Sequence, residues 1–223
     1  MQPTACAPTR AARNQDDMQL FGTVTSPFVR RVRVVAAELG VPCELVDTAT
    51  DDGQALLRER SPIRKVPVAE LPGGALVYDS HAITEALLAS HGPGPLRAFD
   101  PLELEARNTL GVIDAALDSL VNVFYLGRDG IGAEQSSYVV KQRERATASF
   151  AWLERRLDDV WLSPPAPATG KHSLSLVEIA LVTTIGWVRF RDTYPIDQSF
   201  PGLARCFAHH DARPSFAATR PPA

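Results

Sequence analysis

Cysteine is scarce in this chain, and the few present form no motif. Cys6, Cys43 and Cys206 lie far apart, and no pair has the C-x-x-C spacing of a zinc site or a redox dithiol. A low, odd count suits a reducing compartment, so the expected location is the cytoplasm. Excess positive charge is missing too. With 23 Lys and Arg against 26 Asp and Glu the formal charge is −3, and no basic stripe offers a grip on nucleic acid. No unbroken apolar run reaches the roughly 18 residues that suggest a membrane span. Residues 1–17 carry Arg10 and Arg13 without the apolar stretch of a secretory signal. Rich in Ala, Thr and Pro and aperiodic, they are expected to form a disordered tail. The five histidines make no ligand set, and the adjacent His209 and His210 cannot share a helical face, so no metal is expected.

What the chain does have is ordinary globular material, 45% hydrophobic and 22% charged over 223 residues. Residues 19–24 read as a short strand closed by Thr25-Ser26-Pro27. Proline suits the first position of a helix, and Ser26 before it suits the N-cap. Phe28, Val32, Val35, Ala36 and Leu39 then make one apolar helical face that stops at Gly40, with Arg30, Arg31 and Arg33 expected mostly on other faces. Residues 43–47 form a second strand, parallel to the first because a helix intervenes. A polar helix over 51–60 ends before Pro62. Residues 66–71 and 75–78 read as a hairpin around Pro72-Gly73-Gly74, followed by a helix capped by Ser80 and running to about residue 90. Pro67 within a strand implies an edge position or a cis bond at the strand start.

Residues 18–92 thus give β-α-β-α-β-β-α, and 93–99 are a linker rich in Pro and Gly. Residues 100–223 are expected to be wholly helical. Ala106, Leu110, Ile113, Leu117, Leu120 and Phe124 repeat at helical spacing, as do Val139, Ala146, Phe150, Leu153, Leu157 and Val160. Ser175 and Glu178 fit a capping box that opens a helix apolar on most sides. A shorter last helix covers about 200–210.

Three local motifs carry a resemblance to the cytosolic glutathione S-transferase superfamily. They are Thr25-Ser26-Pro27-Phe28-Val29-Arg30-Arg31-Val32-Arg33, Lys65-Val66-Pro67-Val68 and Tyr78-Asp79-Ser80-His81-Ala82-Ile83. In this order, with the capping box behind them, they resemble serine-type bacterial members. The start and the closing Ser215-Phe216-Ala217 are similar to a small bacterial branch more than to any well-studied class. The implied fold is a thioredoxin-like α/β domain followed by an all-helical domain.

The resemblance also implies a chemistry. A helix N-terminus stabilises an anion, and Ser26 would add a hydroxyl donor to the glutathione sulfur, with Thr25 as the local alternative. Ser26 could equally be a plain cap. Val66 would pair through its main chain with the cysteinyl part, ahead of a cis Pro67. Asp79 would face the γ-glutamyl amine, and Ser80 with the neighbouring amides its carboxylate, although both also serve as N-cap residues. Lys65 would meet the glycine carboxylate or simply face solvent. Phe28, Tyr125 and Trp187, with Phe124 and Phe190, are candidates for a pocket holding a small electrophile. The implied protein is a homodimeric transferase with glutathione as substrate. The alternatives are a glutathione- or ligand-binding protein of the same fold without significant transferase activity, and a glutathione-dependent peroxidase.

Overall fold

The computed structural model describes residues 18–98, 100, 102–165 and 170–222. The expected tail over residues 1–17 lies outside them. The chain begins with strand β1 (Met18–Gly22), helix α1 (Pro27–Leu39), β2 (Cys43–Asp47), α2 (Asp51–Arg60), β3 (Val68–Glu70), β4 (Leu76–Tyr78) and α3 (Ser80–His91). The sheet order is β2-β1-β3-β4. β1 runs parallel to β2, and β3 is antiparallel to both β1 and β4. The first strand stops at Gly22, short of the expected residue 24. A Cβ there would lie 2.3 Å from a Val29 methyl, so glycine lets α1 close onto the strand end. The third strand starts at Val68 rather than 66, because Val66 lies in a bend and Pro67, which is buried, has no N–H to add to the ladder; the bond between them is cis.

The helical part follows as α4 (Leu104–Arg128), α5 (Ser137–Glu154), α6 (Leu176–Arg191), α7 (Ile196–Ser199), α8 (Pro201–Asp211) and α9 (Pro214–Ala217). α4 and α5 form an antiparallel pair, and α6 is buried along most of its length. By length and composition α4 could span a bilayer, although Asp114 and Asp118 interrupt its apolar run. Here it packs on α5 and α6, with Ile113, Ala116, Leu117 and Leu120 fully buried. The periodicity through Leu157 and Val160 overshoots the end of α5. Asp158 and Trp161 exchange backbone hydrogen bonds of 2.8 and 2.9 Å, and Asp159 takes φ 55°, which ends helical geometry. α9, opened by Pro214, was not foreseen.

The largest departure concerns charge. Arg30 and Arg31, expected on outer faces of α1, are 3% and 1% exposed. Arg31 stands three residues after Phe28 and four before Val35, which places it on the apolar face itself. Each guanidinium finds its carboxylate on the helical part: Arg30 on Asp211 at 2.8 Å and Arg31 on Asp114 at 2.6 Å. These pairs, and Arg213 with Glu38 at 2.9 Å, join the two parts across α1.

Candidate active site at the mouth of α1

The first turn of α1 is shaped by three consecutive residues. Ser26 is the N-cap, its Oγ accepting from the Val29 amide at 3.3 Å, and Pro27 follows at the first helical position. The Ser26 amide donates to the Thr23 carbonyl at 3.1 Å, which fixes the approach of the chain. A hydroxyl that accepts from an amide keeps its own proton to donate. Ser26 can therefore cap the helix and donate to an anion at once. No acidic side chain occupies the first turn, so the positive end of the helix dipole has no carboxylate of its own there. Thr25 is half-buried, its Oγ1 3.4 Å from that of Thr23.

The start of α3 is a second helix mouth. Here the cap is Asp79, not Ser80: its Oδ1 accepts from the His81 amide at 2.8 Å and the Ala82 amide at 3.3 Å. Ser80 is the first helical residue and is buried, its Oγ accepting from Arg31 Nη1 at 3.4 Å. Asp79 is exposed. Of the segment before β3, Val66 is half-buried and Lys65 exposed.

Sequence reasoning missed the network that ties these mouths together. Arg31 Nη2 donates to Asp114 Oδ1 at 2.6 Å, and Arg31 Nη1 lies 3.2 Å from His81 Nε2. His81 Nε2 in turn pairs with Asp114 Oδ2. One α4 carboxylate thus holds both an α1 arginine and an α3 histidine. Burial pushes the Asp114 carboxyl up, but the hydrogen bond from His81 and the charge of Arg31 outweigh it and hold the group below the usual range. Lost solvation, then the charge of Asp114, raise Asp118 one turn further along, against the pull of Lys65 and Arg31. Lys65 therefore acts on the same acidic face of α4. The Arg31 guanidinium also sits 5.6 Å from the Phe28 ring centroid.

The aromatic candidates divide. Phe28 is half-buried beside Arg31, and Tyr125 is 56% exposed at the far end of α4. Trp187 is 5% exposed and contributes mainly to the core, meeting Phe124 edge-on at 5.7 Å between centroids. Among the described residues no group of three or more His, Cys, Asp or Glu could hold a metal ion.

A four-stranded mixed sheet with this helix order, joined to a helical bundle through α1, defines the class of two-part proteins built on a thioredoxin-like domain. The particular family follows from comparison with known proteins. Residues 20–95 match the model of the glutathione S-transferase N-terminal domain and residues 97–212 that of the C-terminal domain, and the chain belongs to this family. It is 30% identical to the uncharacterised GST-like protein YibF of Escherichia coli over 211 residues, covering 92% of this chain and 99% of that one. Glutathione S-transferase 4 of Zea mays is 37% identical over 181 residues, 73% of this chain and 80% of the relative. A solved glutathione S-transferase of Methylobacterium radiotolerans, in complex with glutathione sulfonate, is 31% identical. It superposes with a TM-score of 0.77 over 93% of this chain and 96% of the other.

Proposed function

We propose that this protein is a glutathione transferase that adds the glutathione thiolate to a small electrophilic carbon. The observation that carries the reading is the mouth of α1: a serine cap with a spare proton, no carboxylate in the first turn, and the start of α3 tied beside it by Arg31. The thiol loses its proton to solvent as the sulfur is held against the Ser26 hydroxyl and the positive end of the α1 dipole. With a chloro-arene, the sulfur forms a C–S bond, the C–Cl bond breaks, and chloride leaves with the bonding pair. Holding both reactants in one cleft supplies the rest of the acceleration. The Methylobacterium relative was solved with a glutathione derivative that carries an anion at sulfur, which suits such a mouth.

Val66 would pair with the cysteinyl backbone, and Asp79 would meet the γ-glutamyl amine. Ser80, backed by Arg31, would meet the γ-glutamyl carboxylate, and Lys65 the glycine carboxylate. The domain boundary would fall in 93–99. A homodimer in the cytosol completes the reading, the sheet part of one chain against the long helices of the other. Sedimentation at one chain mass would reject the dimer.

The test is direct. The purified protein should conjugate glutathione to 1-chloro-2,4-dinitrobenzene and be retained on immobilised glutathione. Retention without conjugation would favour a binding protein, and the absence of both would end the reading.

A further inference from the structure

The C-terminal ends of α4 and α6 lie side by side, and an aromatic cluster forms there around one arginine. Phe124 meets Tyr125 edge-on at 5.4 Å, in addition to its contact with Trp187. The guanidinium carbon of Arg191 lies 4.9 Å from the Phe124 centroid and 4.5 Å from that of Phe190. Phe190, at the cation, is 36% exposed, and Tyr125, which meets the cluster through Phe124, is 56% exposed.

The last turn of α6 holds two arginines with different surroundings. Arg189 donates to Asp197 Oδ1 through two nitrogens at 3.0 and 2.5 Å. Arg191 has no carboxylate partner among the described residues, and its buried Nε has no hydrogen-bond partner. Two ring faces and the helix end hold the guanidinium in place without neutralising it.

The helices that carry the cluster, α4 and α6, both pack against α1. Gly186, next to Trp187, comes so close to Arg30 that a Cβ there would meet Nη1 at 2.4 Å. On α4, Asp114, Asp118 and Tyr125 share one face, and Asp114 already grips Arg31. Tyr125 lies about 10 Å along that face from Asp118.

We infer that the electrophile is an aromatic compound bearing a carboxylate, its ring against Tyr125 and Phe190 and its carboxylate on Arg191. This rests on the transferase reading above and names the class of its second substrate. The carboxylate takes no part in the bond changes and serves only to select and orient. An arginine between aromatic faces suits it, because the rings bind the arene while the guanidinium supplies charge-assisted hydrogen bonds.

Calorimetric titration with S-benzylglutathione and S-(4-carboxybenzyl)glutathione tests this on the intact protein. The carboxylated ligand should bind about tenfold more tightly, as expected for hydrogen bonds to a charged group at a partly exposed site. The margin should shrink with added salt. Arg191→Gln should bring the ratio close to one, and Arg191→Lys should keep part of it. Equal binding of both ligands to the wild type would overturn the inference and leave the transferase reading intact. Failure of both ligands to bind would overturn both readings. A preference that survives Arg191→Gln would remove Arg191 from the site.

Discussion

The N-termini of α6 and α1 both begin on a serine cap, Ser175 and Ser26, yet one is sealed and the other left open. At α6 the carboxylate of Glu178, fully buried, accepts from the amides of Leu162 at 3.0 Å, Ser163 at 2.8 Å and Ser175 at 3.2 Å. The hydroxyl of Ser175 donates to it at 2.5 Å and that of Ser163 completes the set. The helix dipole there is answered from within the protein, by an anion placed in the first turn. At α1 the first turn has no acid, and the cap serine retains a donor. The same backbone physics makes a structural knot where the chain supplies the anion, and leaves the helix dipole unanswered where it does not.

Removing the acceptor from the sealed mouth should have the largest effect. Glu178→Ala removes the acceptor of five donors, most of them buried, and should cost about 3–5 kcal/mol, read from the urea unfolding midpoint. Ser26→Ala sets the contrast. It should cost only about 1 kcal/mol of stability, the usual value of a cap. Conjugation should meanwhile fall on the order of 10–100-fold, as expected when a charged hydrogen bond to the thiolate is lost. A Ser26→Ala protein that is badly destabilised but fully active would erase the distinction between the two mouths.

The smallest effect is a difference in acid sensitivity. His210, beside the sealed mouth, is pushed down by burial, against the bond from its Nε2 to the Val160 carbonyl. The unfolded imidazole takes a proton near its ordinary pKa of about 6.5, while the folded one resists. Stability is therefore complete above about pH 6.5 and drains away as the pH falls below it. Asp114, at the open mouth, is held below the carboxylate range, so its contribution lasts until the pH drops under about 3.9. Between about pH 6.5 and 5, His210→Gln should flatten the fall of the urea midpoint. Asp114→Asn should lower the midpoint without flattening it.

The sequence made the frame of both mouths legible because local chemistry writes them. Ser26-Pro27, Gly40 and the Ser175/Glu178 box are short-range signals, and the structure realises each. Asp79 took the cap expected of Ser80 because the longer aspartate reaches two amides. The Arg31–His81–Asp114 network was illegible from spacing alone. The one available hint was an arginine on the apolar face of α1, and its meaning depends on a carboxylate 83 positions away. Trp187 looked like pocket wall and is core, since helical periodicity gives a face but not which neighbour covers it. The end of α5 was misplaced because apolar periodicity continued after Asp159 had left helical geometry.

The two buried arginines also impose an order on manufacture. A ribosome releases α1 long before the residues that complete it. Arg31 waits 83 positions for Asp114 and Arg30 waits 181 for Asp211. Until then a nascent sheet unit carries two cations that it cannot bury, so α1 should dock fully only once Asp211 has left the ribosome. The first helix is therefore secured only after the helical part from α4 to α8 has been made.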